Sequence, residues 1–356
     1  MGICQSSKKD SKALKESIKE QIKKVNPHSR IRGESKKIII KSLSDINGDC
    51  VNIDTCVDTT IIILDFSSQV TINECKNCSI FIAPCKGSIS LRKSEGINLI
   101  SASMQLRCSD VSNSKLSIYS NTQPALERTR AISLGCFFFS YIELKNIFQS
   151  ANLNVWDNYW SEVHDFTPPS SGNNMNFFTP QNDNEFMKFF LDAMKDQATN
   201  IDQFDPVPFS KGLSIVIDKS FNHALVLLEE EVDKDFYNFI SEEELDASYT
   251  SLVKTLHISP NTVEFNLIVN ALKENNAVDK LEFFNSFKRS PTINKTKKDG
   301  YILLWLVNDK DKFNFFLSNC ENNLENHLLL FEEDLANMNQ LIKKLFKNFS
   351  VDHTLN

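Results

Sequence analysis

The chain has 356 residues, 41% hydrophobic and 24% charged, with only 9 glycines and 10 prolines, which excludes a chain disordered throughout and a collagen-like or linker-dominated one. Its net charge of −7 is unevenly spread: residues 1–42 carry twelve Lys or Arg against four Asp or Glu, a net +8, which leaves −15 for residues 43–356. An acidic body disfavours nucleic acid as a partner, because neutralising phosphates needs a basic surface there. No stretch of 18 apolar residues occurs and the N-terminus lacks the apolar segment of a secretory signal, so the chain is expected to stay in the cytosol. Nine cysteines in that compartment are expected as thiols.

Residues 1–35 read as a basic tail and linker. The opening Met-Gly-Ile-Cys-Gln-Ser fits an N-myristoylation pattern with Gly2 as acceptor. One myristoyl chain holds a membrane only marginally. Cys4 supplies a site for a palmitoyl chain, and Lys8, Lys9, Lys12, Lys15, Lys19, Lys23 and Lys24 attract anionic headgroups. An anionic membrane surface is the expected partner, and the cytoplasmic face of the plasma or a ciliary membrane the expected location. Residues 11–24 are expected to form a short amphipathic helix that Pro27 ends.

Residues 36–168 form the first domain of this reading. Short β runs alternate with Asn, Asp, Ser, Cys and Gly, which calls for a repeat search. Thr60-Ile-Ile-Ile-Leu64, Cys78-Ser-Ile-Phe-Ile82, Gly96-Ile-Asn-Leu-Ile100 and Ser114-Lys-Leu-Ser-Ile118 align at an 18-residue period, with Leu64, Ile82, Ile100 and Ile118 in one column. A second family, Val70-Thr-Ile72, Ile89-Ser-Leu91 and Leu106-Arg-Cys108, interleaves at 19 and then 17 residues. Columns held in register over several periods point to a right-handed parallel β-helix rather than an antiparallel sandwich. In the second family Val70, Ile89 and Leu106, with Ile72, Leu91 and Cys108, are the inward positions. Thr71, Ser90 and Arg107 then point outward.

Cys50, Cys56, Cys75, Cys78, Cys85 and Cys108 recur near the ends of the runs and read as small buried side chains at solenoid corners. A lone C-x2-C at Cys75 and Cys78 lacks the second pair a zinc site needs, so no metal is expected. The aromatic stretch from Leu134 to Pro168, with Trp156, Tyr159 and Trp160, reads as a cap that closes the solenoid. His164 and Asp165 read as structural, since no nucleophile accompanies them.

These residues resemble the tubulin-folding cofactor C family, nearest to its retinitis pigmentosa 2 branch. The likeness rests on Lys86-Gly-Ser88, Gln105-Leu-Arg107, Thr122-Gln-Pro124 with Glu127, Gly135-Cys-Phe137, and Trp160-Ser-Glu-Val-His-Asp-Phe-Thr-Pro168. The resemblance implies activation of GTP hydrolysis on an Arf-like small GTPase, with Arg107 as arginine finger, in trafficking of lipidated or ciliary membrane proteins. It also implies nucleotide-side contacts at Gly87, Ser88 and the run Met104, Gln105, Leu106 and Arg107, and a partner-facing acid at Glu127. The chain would have no cofactor and no substrate chemistry of its own, GTP and Mg²⁺ being held by the partner. One departure stands out. The family usually has a glutamine three residues before the finger, where this chain has Met104, and Gln105 is expected on the opposite side of the strand from Met104. That leaves open a non-catalytic effector binding the GTP-bound partner. The wider family allows a third reading, a tubulin-folding cofactor with tubulin as partner.

Residues 169–205 read as a linker with a short helix around Phe186 to Met194, and residues 206–356 as a small α/β domain. Its expected elements are strands at Leu213 to Asp218, Tyr301 to Val307 and Leu328 to Phe331, helices near 242–257 and 261–289, and a last helix from Leu335 to Phe346. No glycine-rich phosphate loop, H-E-x-x-H or G-x-S-x-G occurs, and none of His223, His257, His327 or His353 stands in a catalytic setting.

Overall fold

The computed structural model describes residues 26–137, most of 139–168, 175–178, 180 and 183–194, and between 222 and 345 the strands and helices named below with a few flanking residues. Gly2, Cys4, the lysine stretch, the helix expected over 11–24 and the strand expected over 213–218 lie outside these.

Coils that stack in parallel build the N-terminal part. The strands are β1 (Arg30–Arg32), β2 (Ile38–Lys41), β3 (Cys50–Asp54), β4 (Thr60–Ile63), β5 (Gln69–Asn73), β6 (Ser79–Glu95), β7 (Asn98–Ser120), β8 (Ala125–Glu127), β9 (Arg130–Cys136), β10 (His164–Asp165) and β11 (Met175–Phe177). All eleven belong to one sheet, in which every printed pairing is parallel. This is the β-solenoid expected from the repeats. Each coil turns a corner with two left-handed residues three apart: Gly33 and Lys36, Thr55 and Asp58, Glu74 and Asn77, Lys93 and Gly96, Asp110 and Asn113, Arg128 and Ala131. Left-handed backbone costs a non-glycine residue about 1 kcal/mol or more. Side chains stacked along the corners offset part of that cost, as where Asn77 Nδ2 donates to Asp58 Oδ1 (3.2 Å) and Asn73 Nδ2 to Asp54 Oδ1 (2.9 Å) one coil below.

The second strand family behaves as its alternation predicts. Val70 stacks on Ile89 and Ile89 on Leu106, Ile72 on Leu91 and Leu91 on Cys108, all within 2% of complete burial. The first family needs a correction. Its pairs are Ile62 with Phe81 and Phe81 with Ile100, and Ile63 with Ile82, a 19-residue step, so Leu64, Ile82, Ile100 and Ile118 are not one column. Ile82 and Ile118 lie in the solenoid interior, whereas Leu64 and Ile100 belong to a second core on the outer face. A one-residue slip moves a side chain to the other face of a strand, and here both faces are apolar, so composition could not tell them apart.

That second core explains part of the phenylalanine content. Helices α1 (Leu144–Ala151) and α2 (Asn184–Met194) cover the outer face, burying Phe81, Tyr119, Phe137, Phe139, Tyr141, Phe148, Phe186 and Phe190 together. Tyr141 donates its hydroxyl to Leu64 O (2.8 Å), tying the aromatic run to β4. Asp183 caps α2 by accepting from Phe186 N (3.0 Å) and pairs with Lys115 of β7. The stretch expected to cap the solenoid therefore does two things. Its first half lies along a side, and Trp160 enters the interior cluster at the end of the stack.

Further on, β12 (Asn222–Glu229), β13 (Thr250–Ile258), β14 (Gly300–Val307) and β15 (His327–Phe331) form an antiparallel sheet in the order β13, β14, β12, β15. Helices α3 (Val263–Glu274) and α4 (Met338–Leu345) bury Phe265, Ile268, Leu272, Leu341 and Ile342 with Leu225, Leu227, Ile302 and Leu304 of the sheet. Thr262 caps α3, its Oγ1 accepting from Phe265 N (3.2 Å). The helix expected near 242–257 is not one over 250–257. Those residues are β13, which pairs along β14 with a bulge between Leu252 and Lys254. Partner pairing overrides weak local preference there. The strand β12 was not expected.

Six of the seven described cysteines are buried thiols and Cys50 is exposed. Among the described residues no group of three or more His, Cys, Asp or Glu could hold a metal ion. Under native conditions a maleimide should label Cys50 and spare Cys56, Cys75, Cys78, Cys85, Cys108 and Cys136, as read by peptide mass spectrometry; prompt labelling of Cys108 would contradict the packing. Burial pushes the Cys85 thiol up and the Cys108 thiol to about 12. With folded-state values above the unfolded ~8.5, this contribution to stability is full below that value and is lost as pH rises toward 12. The urea midpoint should therefore fall between near pH 7 and about pH 10, by roughly 1.4 kcal/mol per pH unit per fully buried thiol.

Candidate functional site

The outward column of β5, β6, β7, β8 and β10 is the base of the site. Thr71 pairs with Ser90, Ser90 with Arg107, Arg107 with Ala125 and Ala125 with His164. Arg107 is exposed between Leu106 and Cys108, which anchor it in the interior. Ser90, expected to be exposed, is 3% exposed: it is a small side chain flanked along the ladder by Thr71 and Arg107.

Arg107 lines a groove of about 710 Å³ with Arg92, Lys93, Gln105, Ser109, Asp110, Glu127 and Phe166 among its walls. Arg107 Nε donates to Gln105 Oε1 at 2.8 Å. Gln105 thus lies on the side opposite Met104, as expected, and that side is the one Arg107 occupies. Met104 packs instead against the aromatic core of the outer face. Its carbonyl accepts from Thr122 Oγ1 (2.9 Å).

The other wall carries charge. Arg128 Nε donates to Asp110 Oδ1 (2.7 Å) and Arg128 Nη2 to Asp110 Oδ2 (2.9 Å), while Arg128 Nη1 donates to Glu127. Arg128 N donates to Thr167 Oγ1 (2.6 Å), which fixes the backbone at this corner. The Arg128 guanidinium holds the Asp110 carboxyl below the usual carboxylate range and is itself raised by the two acids. Phe166 is 64% exposed at the groove edge, its ring 4.5 Å from that of His164 in an edge-on arrangement. His164 and Asp165 hold backbone here: His164 N donates to Pro124 O, and Asp165 Oδ1 accepts from Thr167 N.

Of the residues singled out from sequence, Gln105, Arg107 and Glu127 meet in the groove. Ser88 is half-buried and pairs with Gln105 one coil on, Leu106 is interior, and Gly2 and Cys4 are not among the described residues. Gly87 has a packing reason: a Cβ there would sit 2.4 Å from Ser68 O. The sequence reading missed Arg92, Asp110, Phe166 and Arg128. A signal existed for one pair, since Arg128 follows Asp110 by 18 residues, about one coil.

Residues 48–166 match the family model of tubulin binding cofactor C. The family expected from the sequence is the one found for the solenoid. Protein XRP2 of Danio rerio is 32% identical over 169 residues, 47% of this chain and 45% of that protein. Protein XRP2 of Mus musculus is 32% identical over 179 residues, 48% of this chain and 51% of its own length. TBCC domain-containing protein 1 of Gallus gallus is 28% identical over 126 residues, 35% and 23% of the two chains. The chain spans about half the length, or less, of the curated relatives it matches.

Gly87→Ala should destabilise the solenoid by roughly 1–3 kcal/mol, because the added methyl meets a carbonyl that β pairing holds in place. A thermal melt of the full chain checks this, and an unchanged Tm would contradict the close approach.

Proposed function

We propose that the cofactor C domain presents Arg107 to the nucleotide of an Arf-like small GTPase and accelerates GTP hydrolysis. The observation that carries this reading is an exposed arginine on a rigid parallel ladder, anchored by buried neighbours on both sides and oriented by Gln105 through its Nε. Bonding through Nε leaves the two terminal nitrogens for a ligand. A guanidinium that reaches the partner's γ-phosphoryl group stabilises the charge that builds there, and its planar, delocalised cation suits three oxygens better than an ammonium. GTP and Mg²⁺ belong to the partner in this reading. Glu127 and Phe166 on the groove wall supply polar and apolar contact with it.

A specific observation favours a second reading, an effector that binds the GTP form without hydrolysing it. At the position where the family usually has a glutamine, Met104 is packed in the outer-face core and offers no polar group to the groove. Tubulin, named in the family's description, is the third candidate partner.

Single-turnover hydrolysis by an Arf-like GTPase with excess protein separates these. Wild type should accelerate hydrolysis and Arg107→Ala should lose on the order of 10³-fold, with Arg107→Lys closer to alanine than to wild type. Binding of the GTP form without acceleration would establish the effector, and binding of tubulin alone would replace the GTPase altogether.

Membrane attachment belongs to the same proposal, resting on Gly2, Cys4 and the basic stretch. Expressed in a eukaryotic cell, Gly2→Ala should shift the full chain from the membrane pellet to the supernatant. Equal partition of the two forms would remove the myristoyl anchor from the account.

A further inference from the structure

The groove around Arg107 holds carboxylates as well as cations, and they are paired unequally. Asp110 and Glu127 are both bonded to Arg128, Asp110 through two nitrogens. Arg107 donates to the neutral Gln105, and among the described residues it makes no ion pair. Yet a carboxylate is near. Arg107 pairs with Ala125 and Ser109 with Glu127, so Glu127 is one diagonal step from Arg107 on the same outward column, a separation long side chains span.

We infer that Arg128 is a positioning residue that sequesters both groove carboxylates, so that the Arg107 guanidinium stays unpaired and available to a phosphate-type anion.

The geometry of Arg128 suits that role. It occupies a left-handed corner position (φ 49°), its N–H is fixed by Thr167, and Asp110 (φ 57°) holds the equivalent corner one coil earlier. The ladder therefore sets the guanidinium above its main partner, and Glu127 is the adjacent residue. Ion pairing to Arg128 depresses the Asp110 carboxyl, so the pair persists well into acid. Without Arg128, two bare carboxylates would face Arg107 across the groove. A charge-assisted bond from Arg107 to Glu127 is stronger than its neutral bond to Gln105, so Arg107 would turn inward. It would then meet an incoming phosphate with its charge already compensated, and the ligand would have to compete with a carboxylate already in place.

The inference rests on the arginine-finger reading for its catalytic consequence only, and its test has two arms. In the first, the Arg107 Nε–H resonance of the full chain is followed by NMR, with inorganic tripolyphosphate as probe. Arg128→Ala should move that resonance away from its wild-type position and weaken tripolyphosphate binding about fivefold, the weight of an exposed ion pair. Adding Asp110→Asn and Glu127→Gln to Arg128→Ala should restore both the resonance and the affinity. Lys93→Ala removes another groove cation, one that pairs with Glu74 instead. It should leave the Arg107 resonance unmoved, which separates repositioning of Arg107 from a general change of field. An Arg107 resonance unaffected by Arg128→Ala, or not restored in the triple variant, overturns the inference; a misfolded Arg128→Ala is recognised by its thermal melt, and Arg128→Lys then serves in its place, with a shift in the same direction expected. In the second arm, single-turnover hydrolysis at saturating protein should fall about fivefold in Arg128→Ala and recover in Arg128→Ala with Asp110→Asn. If wild type accelerates nothing, the arginine-finger reading fails while the first arm still decides the role of Arg128.

Discussion

Parallel pairing between successive coils decides which residue lies above which, and everything else in the solenoid follows from that register. Each coil takes 17 to 19 residues and spends two of them in left-handed corners. The hydrogen bonds of one coil satisfy those of the next, so a polar backbone is buried without cost only if the coils stay in step. Irregularities are confined to the stretch between Ile82 and Ser88, where β6 and β7 change register twice. Gly87 lies there, against Ser68 O, at an approach no side chain would permit.

The site is a consequence of this register. Leu106 and Cys108 are held in the interior by Ile89 and Leu91 of the coil before. Arg107 between them has its Cα fixed to a wall rather than placed on a loop. An arginine side chain loses much rotamer freedom when it reaches a ligand, and a fixed base with one nitrogen already bonded to Gln105 lowers that cost. The same stacking puts Arg128 over Asp110, so a corner that turns the chain also disposes of charge beside the finger. Structure and chemistry share one ladder.

A sheet with both faces covered shaped what could be read in advance. The strand family of Val70, Ile89 and Leu106 has one apolar and one polar face, and its alternation gave the correct columns. The family of Ile62, Phe81 and Ile100 is apolar on both, interior on one side and under α1 and α2 on the other. Such strands read as continuous apolar runs, and an alignment by similarity alone slipped by one residue. The error at 250–257 has the same origin: β13 is held by its partner β14, which lies more than forty residues away in sequence.

The sequence by itself determined the solenoid, the outward place of Arg107 and the family, because repeats, alternation and short motifs are local properties carried by neighbouring residues. It also marked Gln105 and Glu127, though as members of a resemblance. Only the tertiary structure decided that Gln105 bonds Arg107 while Met104 turns to the aromatic core, that the first strand family steps by 19 residues, and that Arg128 binds both groove carboxylates. Those facts depend on which coil lies above which and on what covers the outer face. Both are set by long-range packing, which no local window contains.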